Sequence, residues 1–115
     1  MITRADNEEI IARHVICARS HGARMRGMLG RRFDQFDAMY FPNNASIHTF
    51  FMRIPLLVIF LDREYRVRRV IPSLPPWRLA WCPGAFAVVE MGVDAELASR
   101  LRLGDELRVE PEETW

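Results

Sequence analysis

Across 115 residues, half apolar and 27% charged, the chain is long enough for one real hydrophobic core and too apolar for wholesale disorder. The formal charge is +1, because 16 arginines, with no lysine, are interleaved with 15 acids. That leaves no net basic field, so nucleic acid is not an expected partner. The two cysteines, Cys17 and Cys82, sit far apart without a CxxC or His/Cys ligand spacing; the pattern implies no metal and no cofactor.

The chain begins MITRADNEEII, polar and acidic where a signal peptide needs an apolar core. Glu9–Ala18 alternates as one strand, with Ile10, Ala12, His14, Ile16 and Ala18 on one face. His14 is then expected to be a satisfied, semi-buried histidine. Ser20 caps a short predicted helix running to Gly30, with Met25, Met28 and Leu29 as its apolar stripe. Asp37–Phe41 is a further strand, closed by the turn residues Pro42, Asn43 and Asn44.

Ile47–Arg53 predicts a strand with His48, Phe50 and Met52 on one face. Pro55 then interrupts the ladder, and Leu56–Leu61 resumes as a strand buried on both faces. The apolar run is far too short to cross a bilayer. Asp62–Tyr65 turns it into a partner strand, Arg66–Ile71. Pro72–Gly84, with four prolines and the two tryptophans Trp77 and Trp81, predicts a long irregular loop. Ala85–Met91 reads as a strand carrying one odd acid, Glu90. Asp94 caps a second helix to Leu101, and Glu106–Glu110 is the last strand. The tail 111–115 is expected to fray.

These elements predict one domain over residues 1–115, mainly β (α+β at the margin): a small antiparallel sandwich or partly open barrel with two short helices. The expected location is cytoplasmic, with both thiols reduced.

Three stretches resemble the bacterial and archaeal family known as domain of unknown function 192, over about residues 20–107. They are Arg26-Gly27-Met28-Leu29-Gly30-Arg31; Ala38–Phe41 with Ser46–Arg53 and the run to Asp62; and Val88–Met91 followed by Leu103-Gly104-Asp105. The resemblance implies a mainly β, sandwich-type domain without an assigned activity, sometimes exported. Three positions depart from the family pattern: Leu57 where members usually have Asp, Tyr65 where they often have Gly in the hairpin turn, and Asp94 where they have Gly. Were that Asp a general acid or base in the family, this chain could not use it.

Two functions from different classes follow. The first is a non-catalytic module binding a small molecule or a protein through Ser46–Met52 and neighbouring loops, with His48, Thr49, Met52, Asn43, Asn44, Trp77 and Arg78 as the binding residues. The alternative is a small hydrolase or transferase using His48 with Cys82 or Glu90. Such an enzyme needs a thiolate activated by imidazole, or a carboxylate placed for proton transfer. Each residue also has a structural reading. Lone cysteines are usually small buried hydrophobes. A buried acid such as Glu90 usually has an arginine or backbone partner. His48 beside Phe50 and Met52 suits a strand tied to a neighbouring loop.

Overall fold

Leu56–Leu61 is six apolar residues in a row, and a strand with that composition has to be covered on both sides. The computed structural model, which describes residues 1–19, 37–50 and 52–114, shows how this is done. The chain runs through β1 (Ile2–Arg4), β2 (Ile10–Ala12), β3 (Val15–Cys17), β4 (Ala38–Pro42) and β5 (Ser46–His48). It continues through β6 (Leu56–Leu61), β7 (Val67–Leu74), β8 (Leu79–Trp81), β9 (Ala87–Gly92), α1 (Ala95–Arg100), β10 (Leu107–Val109) and β11 (Glu113–Thr114).

Among the described residues, a six-stranded sheet of order β11-β3-β4-β9-β6-β7 forms the middle layer. A three-stranded sheet, β10-β1-β2, packs with α1 on one face, and the β5–β8 ribbon packs on the other. The alternation of β6 divides between the two interiors. Leu57, Ile59 and Leu61 join Ile2, Ile11, Leu97 and Leu107; Leu56, Val58 and Phe60 join Ile47 and Ala80. The fold is thus mainly β, a layered sandwich, and the described strands close no barrel. Leu57, where the family resemblance implies Asp, is fully buried in the first interior.

The β6–β7 hairpin is present, and Asp94 caps α1 by accepting the Leu97 N–H at 3.0 Å. The helix predicted over Ser20–Gly30, with its Met stripe, lies outside the described residues, as do Phe51 and Trp115.

Several expectations are corrected. Glu9–Ala18 is two strands in two sheets, because Asp37 Oδ2 accepts the N–H groups of Arg13 (2.9 Å) and His14 (3.2 Å) and pins a corner between them. His14 is therefore exposed, its Nδ1 2.9 Å from Glu112. The polar lead contains β1, whose Ile2 is fully buried. The strand at Ile47 stops at His48, and Pro72–Gly84 is no irregular loop, since it holds the end of β7 and all of β8. The tail forms β11, pairing Glu113 with Ile16 and Thr114 with Cys17. That pairing and β3–β4 are parallel, so the middle sheet is mixed.

Candidate functional site

Ribbon geometry sets which side chains face outward. Ser46 stands opposite Trp81, Ile47 opposite Ala80 and His48 opposite Leu79. Directly opposed residues project to the same face. Ile47 and Ala80 point inward and are buried; Leu79 and Trp81 point outward, 58% and 60% exposed. Ser46 and His48 share that outer face.

Beyond His48 the chain is held by Thr49, which is fully buried. Its N–H donates to the Arg78 carbonyl (2.8 Å), and its carbonyl accepts the Trp77 N–H (2.9 Å). Its hydroxyl donates to the Pro75 carbonyl (2.7 Å) and accepts the Arg78 N–H (2.8 Å). One residue therefore clamps the turn Pro75-Pro76-Trp77-Arg78. Trp77 lies in that turn at φ 62°, the left-handed region. Proline followed by a residue at positive φ is the type II arrangement, whose third position ordinarily takes Gly. Here it holds a tryptophan that is 57% exposed.

The Trp77 ring stacks on Phe50 (centroids 6.1 Å, 28°), and Phe50 stacks on His48 (4.8 Å, 23°). Phe50 itself is 40% exposed. The result is a run of rings, His48–Phe50–Trp77, beside the outward Leu79 and Trp81. Arginines flank it. Arg69 Nη1 donates to the Trp81 carbonyl (2.8 Å) and Arg68 Nε to the Pro83 carbonyl (2.7 Å). Gly84 (φ 84°) leaves room for Arg68, since a Cβ there would stand 2.7 Å from the guanidinium carbon. Arg78 and Arg53 are exposed.

The other predicted binding residues are spread out. Asn43 takes a turn conformation at φ 58°, and Asn44 Nδ2 donates to the Pro42 carbonyl at 2.8 Å. Met52 packs on the second interior. Cys82 donates its N–H to the Ala45 carbonyl (2.9 Å), and its side chain lies in that interior. His48 is three residues along β5 from Ala45, roughly 10 Å at strand rise, and leaves the ribbon by the opposite face. The geometry does not bring His48 and Cys82 together. Glu90 is fully buried, between Met39 and Val58 in the register, on the sheet face that the ribbon covers.

A second feature is a groove of about 470 Å³ between β2 and α1, lined by Ile10, Arg13, Asp37, Val93, Asp94 and Leu97 among others. Both carboxylates already hold backbone: Asp37 the 13–14 corner, Asp94 the helix cap. Among the described residues, no three His, Cys, Asp or Glu side chains are grouped to hold a metal ion. No helix among them is long and apolar enough to cross a membrane.

Of the residues expected to bind, His48, Trp77 and Arg78 lie on or beside this face; Phe50, Leu79 and Trp81, which also lie on it, were not among those expected. The period-two pattern Leu79-Ala80-Trp81-Cys82 carries the signal, masked by the prolines around it.

Comparison with known proteins agrees with this fold. The family model DUF192, described as uncharacterized ACR, matches residues 1–109. No curated protein matches the chain. A crystal structure of a protein of unknown function from Novosphingobium aromaticivorans DSM 12444 is similar at TM-score 0.68 and 24% identity, covering 94% of this chain and 83% of that one. A crystal structure from Sinorhizobium meliloti 1021, named a "putative transcription regulator", is similar at TM-score 0.66 and 17% identity, covering 82% of this chain and 79% of that one. At these identities the likeness is one of fold.

Proposed function

We propose that the chain, which belongs to the DUF192 family, is a non-catalytic binding module that meets its partner through the outer face of the β5–β8 ribbon and the Trp77 turn. The observation carrying this is Trp77: a bulky ring in a glycine-favouring conformation, set in a turn that four bonds from Thr49 to Pro75, Trp77 and Arg78 close, and left 57% exposed. Left-handed backbone costs a non-glycine residue about 1–2 kcal/mol. The ring stacks on Phe50 yet keeps more than half of its surface open, and we read its display as what the arrangement achieves. The face is built of outward-pointing side chains, which suits an extended partner better than an enclosed small molecule. His48 lies at one end of the ring stack; Thr49 serves by positioning the turn. Arg78 borders the face, whereas Asn43 and Asn44 form the turn after β4 and Met52 packs inward.

The alternative enzyme, using His48 with Cys82 or Glu90, would need those side chains to converge in one cleft. Their placement on opposite sides of the ribbon gives it no support. A nucleic-acid role, which the name of the Sinorhizobium protein would suggest, is not favoured by a face holding an aliphatic Leu79 beside its rings. We place the module in the cytoplasm, where the buried thiols Cys17 and Cys82 stay reduced.

The test is native isolation of the protein from its own host, wild type against a Trp77→Gly/Trp81→Ser variant. A bound partner, seen by native mass spectrometry on wild type and lost from the variant, is the expected result. A partner retained by the variant would overturn the assignment.

A further inference from the structure

We infer that the occupant of this face is the surface of an anionic lipid bilayer; the inference rests on the reading of the β5–β8 face as the contact surface. Three observations converge on it. First, exposed apolar side chains gather here: Phe50, Trp77, Leu79 and Trp81, with Ile54 (45% exposed) at the bend just before Leu56. Leu56 pairs with Leu74, which leads into the Trp77 turn, so Ile54 belongs to the same end of the molecule. Isolated exposed hydrophobics are ordinary, but four on one face with a fifth at the same end mark an interaction surface.

Second, the charged side chains that this stretch of the chain brings to the face are arginines. From residue 38 to residue 85 the only acids are Asp62 and Glu64. Both lie in the β6–β7 turn, at the far end of β6 from Leu56 and so roughly 20 Å from it at strand rise. Glu90 is sealed beneath the ribbon. Arg53 and Arg78 are exposed at the Ile54 bend and the Trp77 turn, and Arg68 and Arg69 are fastened beside β8 through the Pro83 and Trp81 carbonyls. Each guanidinium has further N–H groups to offer an anion.

Third, the mixture is interfacial. Indole rings favour the headgroup level of a bilayer, arginines favour its phosphates, and aliphatic groups at projecting turns enter the acyl boundary. Nucleic-acid platforms stack bases on rings, a task in which Ile54 and Leu79 have no part. Protein hot spots fill recessed, fully desolvated pockets, whereas Trp77 and Ile54 sit on a turn and a bend.

The experiment is co-sedimentation of the full chain with vesicles of phosphatidylcholine alone and of phosphatidylcholine with phosphatidylglycerol (7:3), with tryptophan emission as a second readout. Binding to the anionic vesicles only, with a blue shift of emission, is expected. Raising salt from 0.1 to 1 M should weaken it, as the screening length contracts from about 10 to 3 Å. Arg53→Gln and Arg78→Gln should each lower affinity roughly fivefold, the equivalent of about 1 kcal/mol per surface arginine. Trp77→Gly/Trp81→Ser should abolish both binding and the shift. Equal binding to both vesicles, binding to neither, or wild-type binding by the tryptophan variant overturns the inference. Tighter capture of a thymidine 20-mer or of a glutamate-rich peptide also overturns it, and assigns the face to nucleic acid or to protein. If vesicles fail while native isolation still yields a partner that the tryptophan variant loses, the lipid falls and the binding module stands. A partner kept by that variant removes both.

Discussion

The hydroxyl of Thr49 reaches across 26 positions of sequence to the carbonyl of Pro75, at 2.7 Å, and accepts the Arg78 N–H at 2.8 Å. It closes the Trp77 turn from within the fold. Thr49→Val keeps the shape but removes both bonds, leaving the part-buried Arg78 N–H and Pro75 carbonyl without this partner. The expected cost is about 1–3 kcal/mol. Urea midpoints of wild type, Thr49→Val and Thr49→Ser check it: the serine variant should stay near wild type, and a valine variant equal to wild type would contradict the clamp.

At position 77 the backbone and the ring can be separated. Trp77→Gly and Trp77→Ala both remove the indole, but only alanine retains the cost of φ 62°. Glycine should therefore be the more stable of the two by about 1 kcal/mol. Equal thermal midpoints would show the turn to be unstrained.

Tyr40 is buried, its hydroxyl 2.5 Å from that of Tyr65. Burial first, and the bond to Tyr65 second, push its pKa well above the ordinary tyrosine value. With the folded pKa raised, the folded state keeps a proton that the unfolded chain gives up above about pH 10. Stability from this group is complete below that pH and is lost as pH rises through and beyond it. Tyr40→Phe should flatten the fall of the urea midpoint between pH 9 and pH 11. A wild-type slope in the variant would refute the assignment.

Arg4, itself buried, is the centre of an ionic cluster. It bonds Glu9 at 3.2 Å, pairs with Asp105, and donates to the Arg100 carbonyl at 2.7 Å, while Arg100 itself pairs with Glu9 at 2.6 Å. The cluster ties β1 to the end of α1 and to the Asp105 turn. Arg4→Met leaves Asp105 without its ion-pair partner in a largely buried place, at an expected cost of about 3 kcal/mol. Asp105→Asn should cost clearly less, since an amide needs no counter-charge. Comparable losses for the two would argue against an ionic hub.

Cys17 packs in the interior beneath the three-stranded sheet and Cys82 in the interior beneath the ribbon, on opposite faces of the middle sheet. No rotamer change can join them. Alkylation without reductant should add two groups in denaturant and far less to the native protein, read by intact mass. Zero groups in denaturant would mean a disulfide and a different packing.

How much of this was legible depended on the range of the forces involved. Leu56–Leu61 and its hairpin partner were readable because composition and turn chemistry are local, as was the Asp94 cap of α1. The break at Arg13–His14 was not, because the alternation runs through it unbroken and the corner is made by Asp37, far along the chain. β11 likewise exists only through its pairing with β3. At the candidate site, tryptophans in a proline-rich stretch signalled Trp77. That Phe50 joins Trp77 rather than the core follows from Thr49 ending the strand after His48, a tertiary event.

The strand order carries a consequence for how the molecule comes into being. β9 is nearly the last strand to be made, yet it lies between β4 and β6, pairing Ala38 with Met91 on one side and Leu56 with Gly92 on the other. Until the ribosome has released residue 92, two of the most apolar strands in the chain hold open, unpaired edges. Pairings this distant in sequence make for slow closure, and such edges invite association with other chains. The period of greatest exposure is therefore during synthesis, and it ends with the arrival of one strand, Ala87–Gly92.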